Sequence, residues 1–570
     1  MPQTDMASFN TLLTSSLLVL LNLSSIFIYT IFVTIKGSFT TFSSTIYAII
    51  LGNIYQFEKC FLLFFKYFFS CNIKDFFLSI INTLPILNNA ENLLLSIILL
   101  PLILSIIILF INKDSKKVIL KVSIVGTLLN ILLLFFFITY FNTLNISSLY
   151  CFYIMNFFNF HLSFGVDNIS IILLILTGFL TLICLLISIN IHNFKNFTIY
   201  FLLMQFLLYL AWTVLDVFIF YICFESVLIP MFLVINTWGS RNRKFRASYM
   251  FFIYTLAGSI AMLIAIFFIF MTKGTTDLLT LLNYGFSLED QKFLWIAFFL
   301  AMAVKIPVVP FHSWLPEAHV EAPTGGSVLL AGVLLKLGGY GILRFLLPLF
   351  PEASIYFSTL ITPLCLCSII YASFTALRQN DLKRVIAYAS IAHMNLIVLG
   401  LFSFNIYGIQ GSIFQMISHG LVSGLLFICI GILYDRAKTR LIYNYSGLVI
   451  TMPKFILIFF LATIANMAHP GTSSFVGEFL LFFGIFKFDL FLGILSTIGI
   501  FLCGTYSIWL FNRIAFGNIQ YRDINHKDLS FYELTYLAPL TFLIFLFGIK
   551  PNLILDLSYI NVINLLKYIV

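Results

Sequence analysis

The sequence predicts an all-α polytopic membrane protein with about fourteen core transmembrane helices, and three observations carry that prediction. Of 570 residues, 61% are hydrophobic and only 9% charged, with a mean hydropathy of +1.06. The apolar runs are mostly about twenty residues long, enough for a helix to cross a bilayer, and lack the short alternating segments of an outer-membrane barrel. Two of them are interrupted by proline and glycine in corresponding places, the mark of inverted repeats with an ion site at their junction.

The first stretch, 1–92, reads as an N-terminal extension with one to three apolar segments, at 12–35, 45–54 and 60–71. Its start lacks the charged region of a secretory signal and the Arg/Ser-rich pattern of a transit peptide, so no import signal is expected. Three core helices follow within 93–196, at 93–112, 122–141 and 169–191. The first repeat is expected over 197–350, as runs 197–216, 217–238, 247–271, 293–320 and 328–350. The second is expected over 351–514, as runs 353–377, 383–404, 410–434, 453–488 and 490–514. A C-terminal helix at 533–549 and a tail complete 515–570.

The broken runs are 293–320, with Pro307, Pro310 and Pro316, and 453–488, with Pro470, Gly471 and Gly477. A proline removes a helical donor and leaves a carbonyl one turn earlier unbonded. At membrane depth such backbone persists only where it is buried or lines a wet cavity. The carbonyls freed by Pro307 and Pro310 are therefore expected to hold water.

Orientation follows from the loops, because Lys and Arg accumulate on the cytoplasmic or matrix side. Basic residues fall after the first run (Lys113, Lys116, Lys117), the third (Lys195), the fifth (Arg241, Arg243, Lys244, Arg246), the ninth (Arg378, Lys383, Arg384), the eleventh (Arg436, Lys438, Arg440) and the thirteenth (Arg513, Arg522, Lys527). The even-numbered loops are nearly bare. The alternation fails only after the seventh run, where Glu317 and Glu321 stand instead.

Ionisable residues inside the runs carry the chemistry. An unpaired charge in hydrocarbon costs at least about 2.5–3.5 kcal/mol, so each needs a partner, water or a task. Lys305 lies two residues before Pro307, and Glu225, in FYICFESVLIP, is its natural partner. At about 4 Å and an effective dielectric near 20 the pair is coupled by about 4 kcal/mol, which makes it a proton switch. Lys336, in LLAGVLLKLGGYG, lies too deep to snorkel with ease. Gly332, Gly338, Gly339 and Gly341 around it allow a neighbouring helix to pack close. Glu478 stands on the second break, opposite in the pattern to Lys305. His393 and His419 sit in apolar runs, either as proton relays or as hydrogen-bonded core residues. His312 and His319 flank Trp314 and read either as auxiliary relays connecting the lysines or as supports of the local fold. Asp381, Lys383 and Arg384 read as topological charge at a helix start, and Asp167 and Asp216 as caps.

Several function classes are excluded. The charge of +9 is spread over short loops, without the basic block of a nucleic-acid binder. Nine cysteines include no C-x-x-C, and neither a dinucleotide fingerprint nor a cluster motif is present. No metal or redox cofactor is expected in this chain.

Six segments, FYICFESVLIPMFLVINTWGS, FFIYTLAGS, MAVKIPVVPFHSWLPEAHVEAPTGGSVLLAGVLLKLGGYGILRF, RQNDLKRVIAYASIAHM, QMISHGL and HPGTSSFVGEF, together closely resemble the antiporter-like membrane subunits of respiratory complex I, NADH:ubiquinone oxidoreductase, a family shared with multisubunit Na⁺/H⁺ antiporters. The resemblance covers about 93–550 and leaves the N-terminal extension without a counterpart. It implies a fourteen-helix core with two inverted five-helix repeats, a half-channel in each, and a hydrated charged axis between them. It also implies proton transfer through Glu225, Lys305, Lys336, His393, His419 and Glu478. NAD, FMN, iron–sulfur clusters and ubiquinone are then expected in partner subunits, alongside sister membrane-arm subunits and lipids such as cardiolipin. The implied location is the mitochondrial inner membrane. Two other readings stay open, a subunit of a multisubunit Na⁺/H⁺ antiporter and a scaffold between membrane modules.

Overall fold

The computed structural model describes residues 90–143, 150–157, 160–518 and 527–569. The apolar segments expected before residue 90 lie outside the described residues. The chain divides after Ser96 into two units, and the second, Ile97–Val570, contains the helical bundle.

The helices are α1 (Ala90–Phe110), α2 (Lys116–Thr143), α3 (Asn168–Ile187), α4 (Phe194–Thr213), α5 (Val217–Trp238), α6 (Lys244–Lys273), α7 (Leu288–Lys305), α8 (Trp314–Glu321), α9 (Thr324–Leu349), α10 (Pro351–Leu377), α11 (Leu382–Leu401), α12 (Ile406–Ala437), α13 (Pro453–Asn466), α14 (Ser473–Phe488), α15 (Leu490–Ala515), α16 (Phe531–Ile549) and α17 (Asn552–Ile569). Among the described residues, twelve helices are long and apolar enough to cross a membrane. The pairs α7/α8 and α13/α14 supply the two broken crossings, each the fourth segment of a set of five. The residues after Ile549, expected as a tail, form α17. Its Leu557 and Leu555 carbonyls accept from Asn168 at the start of α3 and Gln410 near the start of α12.

A hairpin of β1 (Tyr150–Phe157) and β2 (Phe160–Val166) was not among the expected elements. Its strands, YCFYIMNF and FHLSFGV, are rich in aromatic residues, which favour a pleated surface over a helix.

The centre of the unit is formed by α9, α11 and α12, with 100%, 89% and 100% of their apolar windows buried, whereas α15 and α16 are only 33% and 22% buried. Outer helices such as α6 turn a stripe of large apolar side chains outward, including Ile253, Ile260, Ile264 and Phe267. Such a stripe belongs against lipid or another subunit.

Loop charges gather at one end. The Arg440 guanidinium donates to the Val320 carbonyl and to Ser240 Oγ, while Glu321 accepts from the Arg241 amide and Ser240 Oγ. Glu317 pairs with Arg384 at 2.5 Å. The acids that break the basic alternation after the seventh run thus neutralise cations of neighbouring basic loops. At the opposite end, Asp216 caps α5 through the Phe218 and Ile219 amides and accepts from Thr276 Oγ1 at 2.6 Å. Asp167 forms a capping box with Ser170 at the start of α3 and pairs with Arg344 at 3.1 Å.

Candidate functional site: a buried proton axis

The site starts where α7 ends. Its last residue, Lys305, is 2% exposed. The ammonium donates to the Phe224 carbonyl at 3.1 Å and lies 4.0 Å from the centre of the Phe224 ring. Glu225 is the next residue, within electrostatic reach of Lys305 and facing Ser259 of α6, but its buried Oε1 has no hydrogen-bond partner. The expected direct Glu225–Lys305 ion pair is therefore not closed. The lysine instead uses the carbonyl one residue earlier, together with a ring whose face attracts a cation.

At Pro307 the freed carbonyl that was expected to hold water has a donor within the chain. Ala303 O, which Pro307 deprives of its helical donor, accepts from the Val308 amide at 2.9 Å, and Val304 O accepts from the Trp314 indole at 2.9 Å. Pro307 O accepts from Asn395 of α11. The chain turns tightly enough after Ile306 for its own amide and a buried tryptophan to satisfy these acceptors, as buried carbonyls require.

Lys336 is fully buried on α9, just after a π-helical turn at Leu330–Leu334. Its Nζ donates to the Ala331 carbonyl at 2.5 Å and lies 2.8 Å from His419 Nδ1 on α12. Glycines set this approach. A Cβ on Gly420 would stand 3.0 Å from the Gly332 carbonyl, and one on Gly339 would stand 2.7 Å from Met416 Sδ. The expected close packing around Lys336 is thus realised by α12 on one side, and by Ile306 and Met302 of α7 against Gly338 and Gly341 on the other.

From His419 the series of groups continues across a ring-to-ring gap, with His419 Nε2 unpartnered and no hydrogen bond between the two histidines. The His419 and His393 rings are 5.7 Å apart, and His393 Nδ1 lies 3.1 Å from Glu478 Oε1. Gln415 Nε2 donates to the same oxygen at 3.2 Å and is itself held by Ser418. Gly477 leaves room for Gln415 to reach the carboxylate. On its other side, His393 Nε2 meets Cys503 Sγ of α15 at 3.7 Å. Lys336, His419, His393 and Glu478, all buried, thus lie along one line from α9 across α12 and α11 to α14, in polar contact at each end and spaced by 5.7 Å between the two imidazole rings.

The remaining two histidines separate. His319 is fully buried and stacked on Phe427 at 4.7 Å, and neither ring nitrogen has a hydrogen-bond partner. The charges of Lys336 and Lys383 both act on it. His312 lies instead against Tyr371 of α10, with Nδ1 unpartnered. Lys383, read from sequence as topological charge, is 2% exposed and donates to the Ala322 carbonyl and Ser327 Oγ at the α8–α9 turn. Gln415, Cys503 and Tyr506 escaped the sequence reading because uncharged residues do not stand out in apolar runs.

Residues 215–503 match the family model described as "NADH:quinone oxidoreductase/Mrp antiporter, TM". The chain is 51% identical over 416 residues to NADH-ubiquinone oxidoreductase chain 4 of Chondrus crispus, covering 72% of this chain and 85% of that relative. It is 48% identical over 481 residues to the chain 4 protein of Marchantia polymorpha, covering 83% and 96%. Among solved structures, a chain of respiratory complex I from Thermus thermophilus with bound NADH superposes with a TM-score of 0.75 at 26% identity, covering 84% of this chain and 100% of that one. By sequence, fold and the matched span, the chain belongs to the NADH-ubiquinone oxidoreductase chain 4 branch of the NADH:quinone oxidoreductase/Mrp antiporter membrane family.

Proposed function

We propose that this chain is a proton-translocating membrane-arm subunit of NADH:ubiquinone oxidoreductase, in the mitochondrial inner membrane, with its redox chemistry left to partner subunits that hold NAD, FMN, iron–sulfur clusters and ubiquinone. The observation that carries the reading is the buried line Lys336–His419–His393–Glu478. At 2.8 Å one of the two nitrogens of Lys336 and His419 must supply a lone pair, so this contact holds at most one excess proton between them. His393 faces a carboxylate that accepts the proton next.

Lys305 and Glu225 form the input end. With the ammonium held on Phe224 and the carboxylate incompletely bonded, the arrangement corresponds to the loosened state of the switch. Closing it restores coupling of about 4 kcal/mol, against about 2.3 kcal/mol for moving one charge across 100 mV. The partners are sister membrane-arm subunits, with cardiolipin among the lipids covering the outer faces.

The experiment is NADH-driven proton uptake by the assembled complex in vesicles, with Glu225→Gln, Lys305→Met and Glu478→Gln. Each substitution is expected to abolish most of the uptake assigned to this subunit while the complex still assembles. Normal uptake in all three would show that the line carries no protons and acts only as scaffold. A chain that purifies without an NADH-oxidising complex, and exchanges Na⁺ for H⁺, would favour the antiporter reading.

A further inference from the structure

Beyond the line of ionisable groups, α15 presents a second cluster to His393. Cys503 Sγ lies 3.7 Å from His393 Nε2, 3.0 Å from the Tyr506 hydroxyl and 3.3 Å from the Asn466 carbonyl at the end of α13. The Asn466 amide is fixed by Ser507 Oγ at 3.0 Å. Cys503 and Tyr506 are buried. A thiol carries one proton and cannot donate to both the Asn466 carbonyl and His393 Nε2.

We propose that Cys503 is a positioning residue for proton exchange between His393 and Glu478, a rotor that selects which imidazole nitrogen carries the proton. The inference rests on the relay reading and deepens it. With S–H turned to the Asn466 carbonyl, sulfur accepts from His393 Nε2–H, and Nδ1 is free to give up or take the proton exchanged with Glu478 Oε1. With S–H turned to His393, Nε2 is the acceptor, so a neutral ring carries its proton on Nδ1 and donates it to the Glu478 carboxylate. The Tyr506 hydroxyl can donate to sulfur in either state. Transfer takes place in the first state, from a ring protonated on both nitrogens: the Nδ1 proton arrives on Glu478, the neutral Nε2–H ring is left, and no other bond changes, whereas in the second state the neutral ring keeps its Nδ1 proton as a hydrogen bond to the carboxylate. The ring nitrogen opposite a functional contact commonly sets the tautomer in this way.

The ionisable groups that face His393 are Glu478 on α14, His419 on α12 with Lys336 behind it, and Cys503 and Tyr506 on α15. The test is the pH profile of NADH-driven proton uptake in the assembled complex. Cys503→Ala removes the rotor and is expected to lower uptake about tenfold and shift its pH midpoint, whereas Cys503→Ser keeps a hydroxyl rotor and stays within about twofold of the parent. Wild-type rate and profile in Cys503→Ala, with Glu478→Gln impaired, would overturn the inference while leaving the relay intact. If Glu478→Gln is also unimpaired, the relay reading itself falls and this inference with it. Should Cys503→Ala fail to assemble, Cys503→Val decides: it fills the space of the thiol without a rotor, and parental rate and profile in it overturn the proposal.

Discussion

At the scale of single residues, the contact between Lys336 and His419 is tightly constrained. Both side chains are buried, and His419 Nε2 has no hydrogen-bond partner, so the Lys336 contact is its only hydrogen bond from the ring among the described residues. Lys336→Met removes the donor and its charge together; NADH-driven uptake is expected to fall at least about tenfold, by the usual contribution of a positioned proton-transfer group. Lys336→Arg is expected to fail as well, because a guanidinium cannot give up its proton. An arginine variant that pumps normally would mean that only positive charge is needed at this point. The sequence made the four members of the line visible, along with Glu225 and Lys305, since each is an expensive group in an apolar run. It did not show which of them touch. Glu225 and Lys305 are the pair most easily drawn from spacing, yet Lys305 chooses the Phe224 carbonyl and ring. Lys383 was legible only as charge near a helix start, because nothing local announces that it turns inward to Ala322 and Ser327.

At the scale of elements, the crossing of α9 and α12 decides whether the line is continuous. The Gly420 position tolerates little, with the Gly332 carbonyl 3.0 Å and Leu176 Cδ2 3.2 Å from an added Cβ. Gly420→Val is expected to push the helices apart at a cost of about 1–3 kcal/mol and to stretch the neighbouring Lys336–His419 contact. Both a lower thermal midpoint and a loss of uptake should appear; loss of stability with full uptake would show that the contact does not depend on this crossing. The start of α5 supplies a control away from the line. Burial pushes the Asp216 carboxyl up, against its hydrogen bonds from Thr276, Ile219 and Phe218. Because the folded value lies above the unfolded one, this group's contribution is complete below the unfolded value and is lost as pH rises through the folded one. Asp216→Ala should cost about 1 kcal/mol through the lost cap, while Asp216→Asn keeps a cap acceptor and removes that pH dependence. Thermal unfolding of the purified complex across pH 4–7, taken as roughly the carboxylate range, reads both effects. Helix lengths and both breaks were legible because hydropathy and proline mark them directly. The fate of the carbonyls around the first break was not, since Ala303 O is taken by the Val308 amide only because the chain turns after Ile306, and Val304 O and Pro307 O depend on Trp314 and Asn395.

At the scale of the whole molecule, the two ends of the bundle differ in charge, and the structure gives that difference a physical basis. Ser240, Arg241, Val320, Glu321, Lys383 and Arg440 come from four separate loops or helix starts and meet at one end. Thr276, Asp216, Ser163 and Asp277 meet at the other, where hydroxyls donate to carboxylates, beside the Asp167–Arg344 pair. Short basic loops stay on the cytoplasmic or matrix side during insertion. On the proposed reading the first end is expected to face the matrix, which would put Lys383 at the matrix end of a route toward His319 and Lys336. Single cysteines placed at Lys438 and at Tyr284, in a background where Cys60, Cys71, Cys151 and exposed Cys367 are replaced, should react with a membrane-impermeant thiol reagent from opposite sides. Labelling is expected at position 438 only in inverted vesicles and at position 284 only in right-side-out ones. The reverse pattern would invert the chain in the membrane and make Glu478 the group loaded from the opposite side, while leaving every contact along the line unchanged.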